Sequence, residues 1–410
     1  MATRTKKVKK KNTLFNTFFA QGSMDIPFLI ILMTIVTIGL VMLFSASYTY
    51  SYYNRGGSTQ IFTRQLFFAV VGIILMFVIS KIRYEYFRLA ALIGVIVSIG
   101  LLVIVLFLPE YKPGFKRWIN LGFTTFQPSE IAKIGLIMIL AYLLDRNYKN
   151  VTKKVPSEAW LCKQIREFTG GRVVVYKSFT SIVCYGILII LFAGLVYLEN
   201  HVSGTILMLA LGVTMLWLGE AKGKWFAVGS VVVVIAVILL IANPQILEEY
   251  AGERITAWLD KEYEPMGARW QTNNSLYAIG SGGFLGTGLG QSKQKHLYVS
   301  EPQNDFIFSI VCEELGFIGA TVIILLFALL VYRGIKIGMN ASNRFGALLA
   351  MGIVFQIGIQ VALNIGVVTD LLPNTGISLP FFSAGGTSLV ILLAEMGMVL
   401  SISRSIKKKE

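Results

Sequence analysis

Apolar residues along this chain are gathered into long runs that are separated by shorter polar connections. We count ten such segments, at 26–45, 65–80, 89–108, 129–144, 179–198, 204–218, 225–241, 307–331, 346–368 and 383–402. Several of them run for about 20 residues almost without charge, which is the length that an α-helix needs to cross the hydrocarbon core of a bilayer. The pattern predicts an all-α polytopic membrane protein with about ten transmembrane helices.

Composition and charge agree with a membrane protein and argue against other classes. The chain is 55% hydrophobic and only 14% charged, too apolar for one water-soluble core of ordinary proportions. Its formal charge of +15 does not indicate nucleic-acid binding, because the basic residues cluster at the chain ends and between apolar runs rather than along one surface. The positive-inside rule explains this clustering and predicts that both termini are cytoplasmic.

The segments divide the chain into one transmembrane domain, 25–403, between basic cytoplasmic tails at 1–24 and 404–410. The first apolar run is too long for a cleaved signal peptide and is expected to remain as an anchor. Two connections are longer than the others: a basic cytoplasmic loop at 145–178, and an extracellular loop at 242–306 between helices 7 and 8. An ordered loop of about 65 residues exceeds what connection requires, so we expect it to contribute to function.

Glu130 and Lys133 are ionisable residues at the start of the fourth apolar segment, directly after Pro128 and Ser129. A spacing of three places them on one face of a helix. They could be a buried pair that faces a polar cavity. They could equally be a helix-entry motif, in which the helix dipole favours Glu130 and Lys133 extends to the membrane interface.

Asp305 lies where the large loop enters the eighth segment, at the boundary between water and lipid. Partial desolvation there raises the pKa of a carboxylate and suits it to accept a proton. The alternative is an aspartate that caps the N-terminus of the eighth helix. Glu313 and Glu314 follow, and they could line the same cavity or be buried against other helices.

The connections on the expected outer side contain further candidates. Arg117 and Trp118 combine a group that can bind phosphate with an aromatic side chain that favours the membrane interface, although a simple interfacial anchor is also consistent. The last connection, 373–388, is rich in proline and glycine, so its backbone must be buried in protein or line a wet cavity. The glycine-dense stretch 280–290 lacks a dinucleotide-binding spacing and is expected to form tight turns or close backbone contacts.

Metal chemistry based on histidine or cysteine is not indicated. His201 and His296 are the only histidines and lie far apart in sequence, and Cys162, Cys184 and Cys312 have no metal-binding spacing.

Five motifs, in this order, resemble the FtsW/RodA/SpoVE (SEDS) family of membrane proteins. They are GLVMLFSAS at 39–47, RWINLGFTTFQPSEIAK at 117–133, IGSGGFLGTGLGQSKQKHL at 279–297, EPQNDFIFSIVCEELG at 301–316 and GISLPFFSAGGTSL at 376–389. The resemblance spans the whole membrane region, and the third motif is more similar to the FtsW and SpoVE branch. The departures are Gln303 and Asn304 in place of the usual His and Thr, Ala384 and Thr387 in place of Tyr and Ser, and an altered segment around His201.

The resemblance implies a peptidoglycan glycosyltransferase in the bacterial cytoplasmic membrane, which polymerises lipid II with inversion at the outer face and releases undecaprenyl pyrophosphate. By the same match Asp305 is the catalytic base, and the predicted substrate-binding residues are Arg117, Trp118, Glu130, Lys133, Arg254, Ser383 and Thr387. A divalent cation, Mg²⁺ or Mn²⁺, is the one candidate cofactor, without assigned ligands. The implied partners are a class B penicillin-binding protein and other proteins of the division or elongation machinery. A lipid II flippase and a non-catalytic scaffold are the alternatives.

Overall fold

The computed structural model of the chain describes residues 18–109, 116–122, 124–149, 156–159, 162–164, 167, 176–221 and 249–406. These residues are almost entirely α-helical, and the one regular sheet among them is a small antiparallel hairpin of β1 and β2. In chain order the elements are α1 (Ile26–Arg55), α2 (Gln60–Lys81), a 3₁₀ turn (Tyr84–Tyr86), α3 (Phe87–Phe107), β1 (Ile119–Asn120), β2 (Thr125–Phe126), α4 (Pro128–Arg146), α5 (Lys177–Leu198), α6 (Val202–Leu218), α7 (Glu249–Leu259), α8 (Trp270–Gly282), α9 (Ile307–Met339), α10 (Arg344–Val368) and α11 (Gly386–Arg404).

Seven of the described helices are long and apolar enough to cross a membrane: α1, α2, α3 with its preceding 3₁₀ turn, α5, α9, α10 and α11. The shorter apolar helix α6 has 17 residues, and α4 has 19 but carries charged side chains at both ends. Nine of the ten predicted segments coincide with a helix, and the remaining segment, 225–241, lies outside the described residues. The all-α membrane architecture is confirmed, while the count of ten remains a prediction.

Local signals explain where several helices begin and end. Asp25 caps α1 through its carboxylate, which accepts a hydrogen bond from the backbone N–H of Phe28 at 3.0 Å, and Gly56 ends the same helix in the left-handed conformation. Asn343 caps α10 in the same way through the N–H of Gly346. Pro128 occupies the first turn of α4, where the missing N–H costs nothing.

Small residues allow some helices to pack with their backbones close together. At Gly397 on α11, an added Cβ would lie 2.6 Å from the carbonyl oxygen of Met76 on α2, and at Gly72 on α2 it would lie 2.6 Å from Leu393. At Gly39 on α1, a Cβ would lie 2.5 Å from the carbonyl oxygen of Phe381, in the connection before α11. Close contacts of this kind are typical of helix packing in membranes, and they hold this connection against the bundle.

The large predicted loop contains regular structure. Its described part includes the short helices α7 and α8, followed by glycine-rich turns. These turns approach an interruption in α9 at Gly316, where φ is +67°, and a Cβ at Gly286 would lie 2.2 Å from the carbonyl oxygen of Glu314. The prediction that the glycines permit tight turns and close backbone approach is confirmed.

Glu313 and Glu314 are buried against the same turns. The Glu313 carboxylate accepts a hydrogen bond from the backbone N–H of Lys293 at 2.8 Å, and Glu314 forms a 2.8 Å ion pair with Lys295 that also includes the hydroxyl of Ser45. Neither carboxylate lines the cavity described below. Of the two readings of this pair, the structure therefore favours burial against neighbouring elements.

Candidate active site in a polar cavity

Asp305 is half-buried in the turn that leads into α9. The N-cap of α9 is Phe306 and not Asp305, so the capping alternative for Asp305 is not supported. The Asp305 carboxylate faces Gly376 of the last connection, because a Cβ added at Gly376 would lie 3.1 Å from Oδ2 of Asp305. Two segments distant in sequence therefore meet at this carboxylate.

A cavity of about 130 Å³ lies beside Asp305. It is lined by side chains from α4, α6, α10 and α11 and by the connections before α4, α9 and α11. Six of the eight residues that the sequence singled out are among its walls: Asp305, Arg117, Trp118, Glu130, Lys133 and Ser383. The motifs that are separated along the chain thus converge on one polar space inside the bundle.

Glu130 and Lys133 form a buried ion pair in the wall of this cavity. The Lys133 ammonium lies 2.9 Å from Oε2 of Glu130, and their side chains are 5% and 10% exposed respectively. The same ammonium donates to the Gln360 side-chain oxygen at 3.4 Å. Lys133 therefore does not extend to the interface, and the reading as a buried pair that faces a cavity is the one the structure supports.

Three helices present their N-termini to the cavity. Ser129 in the first turn of α4, Ser203 in the first turn of α6 and Ser388 in the first turn of α11 all belong to its lining. Each helix N-terminus carries a partial positive charge and N–H groups without an intrahelical partner. The Ser203 hydroxyl is also buried without a hydrogen-bond partner among the described residues. These groups are suited to contact an anion, and the Lys133 ammonium, whose charge Glu130 balances, lies in the same wall.

A second cavity of about 120 Å³ adjoins the first and shares Arg117, Asp305 and Gly376 with it. Arg254 of α7 lies in its wall and donates from Nη1 to the carbonyl oxygen of Asn374 at 2.8 Å. Burial lowers the pKa of Arg254 to about 10, partly offset by the negative charge of Asp305. Burial likewise lowers the pKa of Arg117, and the charges of Asp305 and Glu301 oppose this effect. Asp305 therefore lies within electrostatic range of two arginines, and all three residues line the second cavity.

The chain matches a known protein family over most of its length. The FtsW/RodA/SpoVE profile, described as "Cell cycle protein", matches residues 26–408. The chain belongs to this family. It is similar to "Stage V sporulation protein E" of Bacillus subtilis, with 37% identity over 93% of this chain and 97% of the relative. It is also similar to "Probable peptidoglycan glycosyltransferase FtsW" of Trichlorobacter lovleyi, with 34% identity over 95% of each chain.

Two solved structures show the same fold. A chain from "Structural coordination of polymerization and crosslinking by a peptidoglycan synthase complex" matches with a TM-score of 0.72 and 23% identity, over 94% of this chain and 99% of that one. The rod shape determining protein RodA of Thermus thermophilus matches with a TM-score of 0.64 and 24% identity, over 94% and 98%. The family and the apolar helices make this chain a multi-pass protein of the cytoplasmic membrane.

Two hydroxyl residues predicted to bind substrate contact the protein backbone. The Ser383 hydroxyl donates to the carbonyl oxygen of Asn304 and accepts from the N–H of Leu379, both at 2.8 Å, although Ser383 also lines the cavity. The Thr387 hydroxyl donates to the carbonyl oxygen of Thr125 at 3.0 Å, and Thr387 lines neither cavity. The Ser383 hydroxyl fixes the connection before α11, and the Thr387 hydroxyl ties the first turn of α11 to β2.

The connection before α11 is buried and also lines the cavity, as its proline and glycine content predicted. Leu379, Phe381 and Phe382 are at most 3% exposed. The backbone carbonyls of Ile377 and Ser378 accept hydrogen bonds from side chains of α10. These contacts satisfy backbone groups that lie too deep in the bundle to remain unpaired.

Several cavity residues were missed by the sequence analysis, including His201, Gln360 and Glu301. His201 is adjacent to α6, and its Nδ1 lies 3.2 Å from Nε2 of Gln127. Burial, together with the positive charges of Arg117 and Lys133, lowers the pKa of His201 well below its ordinary value, so the ring is neutral. Gln360 could have been noticed as a polar side chain within an apolar segment, which is a recognised sign of a site inside a membrane protein.

Metal ligands are sparse in the described residues. They contain no group of three or more His, Cys, Asp or Glu side chains that could hold a metal ion. The carboxylates that line the first cavity are those of Glu130, Glu301 and Asp305. A Mg²⁺ or Mn²⁺ ion here would need phosphate oxygens or water for most of its ligands, which is common for Mg²⁺ in phosphate chemistry.

Proposed function

We propose that this protein is a peptidoglycan glycosyltransferase that polymerises lipid II. The family and the names of its members support a role in cell-wall synthesis during division or sporulation. The observation that carries the proposal is that Asp305 lies beside a cavity whose other walls include Arg117, Lys133 and the N-termini of three helices. Glycosyl transfer from a lipid diphosphate needs both a base for the acceptor and a binding site for an anionic leaving group.

In the proposed reaction, the 4-hydroxyl oxygen of the acceptor sugar attacks the anomeric carbon of the donor from the side opposite the diphosphate. Asp305 takes the hydroxyl proton as the new carbon–oxygen bond forms. The bond from the anomeric carbon to the diphosphate breaks, and its electron pair leaves with undecaprenyl pyrophosphate. A single displacement of this kind inverts the configuration at the anomeric carbon.

The cavity walls supply the groups that the leaving diphosphate requires. Lys133 and Arg117 carry positive charge, and the N-termini of α4, α6 and α11 add oriented N–H groups. Because the ion pair with Glu130 and the hydrogen bond to Gln360 fix the Lys133 ammonium, its charge needs little reorganisation when the negative charge develops. Trp118 offers an aromatic face to the sugar or lipid at the cavity edge.

Arg254 and the second cavity extend the proposed binding region beyond the diphosphate. Arg254 is fixed by the carbonyl of Asn374 and lies within electrostatic reach of Asp305. A nearby positive charge favours the ionised form of a carboxylate, and a base must be ionised before it can accept a proton. A divalent cation, if the reaction uses one, would neutralise charge on the leaving diphosphate.

A class B penicillin-binding protein is the proposed partner. The support is the similarity of this fold to a chain from a peptidoglycan synthase complex in which polymerisation and crosslinking are coordinated. Such a partner would crosslink the strands that this protein makes, so the two activities would act on the same product.

The test is lipid II polymerisation by the purified protein with its class B partner, read as glycan strands on a gel. We expect strands from the wild type and a loss of about 10²- to 10⁴-fold in rate for Asp305→Asn, since that is the usual contribution of a general base. Asp260→Asn is the matched control, because Asp260 is an exposed aspartate after α7. It should polymerise like the wild type.

The same experiment separates the alternatives. If the partner is bound and active but the wild type makes no strands, the enzyme proposal is wrong. A lipid II translocation assay in liposomes then distinguishes a flippase from a scaffold, which would move no lipid. If Asp305→Asn and Asp260→Asn both polymerise normally, the protein is an enzyme but Asp305 is not its base.

A further inference from the structure

One face of α10 carries three buried amide side chains. Gln356, Gln360 and Asn364 follow one another at intervals of four residues, so they are stacked along the helix, and each is at most 3% exposed. Buried amides in an apolar helix are costly unless they are hydrogen-bonded. Each of these three donates a hydrogen bond to a group outside α10.

Asn364 connects Asp305 to the connection before α11. Its Nδ2 group donates to the backbone carbonyl of Asp305 at 2.7 Å and to the backbone carbonyl of Ile377 at 2.6 Å. Both amide protons are therefore in use. The turn before α9 and the connection before α11 meet a second time where the Asp305 carboxylate faces Gly376.

Gln360 makes the equivalent connection one turn away. Its oxygen accepts from Lys133 Nζ at 3.4 Å, and its nitrogen donates to the carbonyl of Ser378 at 3.0 Å. Gln360 and Asn364 lie one helical turn apart on α10. Their amides bind the adjacent carbonyls of Ser378 and Ile377. This geometry fixes the separation of Asp305 from Lys133 through a single rigid helix.

We propose that Asn364 and Gln360 are positioning residues, which set the place of the Asp305 base and of the Lys133 ammonium respectively. This inference rests on the proposed function. Asp305 lies in the turn before α9, directly before the N-cap Phe306, and the Asn364 amide binds its backbone carbonyl. Displacement of a reacting group by about 1 Å can reduce a rate on the order of 100-fold.

Loss of Asn364 should not detach the connection. The N–H of Ala384 donates to the carbonyl of Gln303 at 2.8 Å, and the Ser383 hydroxyl binds the carbonyl of Asn304. These contacts remain in a variant at position 364. We therefore expect a local displacement near Asp305 and not a general loss of the fold.

The test is Asn364→Leu in the polymerisation assay with the class B partner. We expect kcat to fall on the order of 100-fold while KM changes less than about threefold, because substrate-binding side chains stay in place. Hydrogen–deuterium exchange of peptides covering 376–384 should rise in the same variant. Gln356→Leu is the matched control, since it removes a buried amide from the same face of α10 but one that donates to Glu395 and not to the site.

A second variant gives a pH profile that simple destabilisation would not produce. Asn364→Asp keeps the shape of the side chain, and its protonated form can still donate one hydrogen bond. Ionisation then places negative charge against two carbonyl oxygens and near the Asp305 carboxylate. We expect kcat of this variant relative to wild type to fall further as the pH rises. The surrounding cavity walls contain three cationic side chains and two carboxylates besides Asp305. The cations are Arg254, Arg117 and Lys133, and the carboxylates are Glu130 and Glu301.

The outcomes are distinguishable. If the wild type polymerises and Asn364→Leu retains its kcat, the positioning role is wrong while the proposed function stands. An equal fall in kcat for Gln356→Leu would also overturn it, because the effect would then be general to buried amides in α10. If the wild type makes no strands, the proposed function fails, and the exchange measurement alone decides whether Asn364 orders 376–384.

Discussion

Replacement of the buried carboxyl of Glu199 should stabilise this protein. Glu199 follows α5, is fully buried, and has no hydrogen-bond partner for either carboxylate oxygen among the described residues. Burial raises the pKa of Glu199 from 4.5 to about 9, with a smaller opposing effect from the charge of Arg117. The group is therefore protonated in the folded protein at neutral pH, although the unfolded chain would ionise it.

The sign and size of the effect follow from proton linkage. The folded state binds the proton more tightly, so its stability relative to the unfolded state is greatest below the ordinary pKa of 4.5 and is lost as the pH rises toward 9. One pKa unit corresponds to about 1.4 kcal/mol, so at pH 7 the cost is about 3 kcal/mol. Glu199→Gln keeps the shape of the neutral acid and cannot ionise, and it removes this cost.

The assay is the thermal stability of the purified protein in detergent between pH 5 and pH 9. We expect Glu199→Gln to resemble the wild type near pH 5 and to become progressively more stable than it at higher pH. Glu262→Gln, at an exposed position after α7, is the control and should follow the wild type throughout. Parallel profiles for wild type and Glu199→Gln would refute the reasoning, because they would mean that Glu199 titrates equally in both states.

The helices of this fold could be predicted from the sequence because apolar runs of membrane length have few alternatives. Every described helix that matches a predicted segment begins within about five residues of it, α4 for example at Pro128, but α1 and α9 continue ten and eight residues past the predicted ends. The expected placement of Glu130 and Lys133 on one helix face also depends only on helical spacing, and the two side chains lie 2.9 Å apart. Local rules sufficed wherever the relevant contact lies within one helix.

The remaining cavity walls could not be predicted because their contacts join residues far apart in the chain. Lys133 and Gln360 are separated by 227 positions, and Asn364 and Asp305 by 59. Hydroxyl residues pose a further difficulty, since the same group can bind substrate or protein backbone. Ser383 was predicted for its place in a family-like motif, and only the structure shows that its hydroxyl bridges two backbone groups.

Two further predictions concern the cavity. Gly376→Ala should slow strand synthesis, because φ at Gly376 is +73° and the added Cβ would lie 3.1 Å from Oδ2 of Asp305; Gly56→Ala, at a φ of +70° in open space, is the control and should polymerise normally. Glu130→Gln and Lys133→Met should each destabilise the protein by about 3–5 kcal/mol in detergent unfolding, since each leaves a buried charge unpaired. Their combination removes both charges and should be more stable than the sum of the two losses predicts. Additive losses would mean that the two charges do not depend on each other, contrary to the 2.9 Å contact between them.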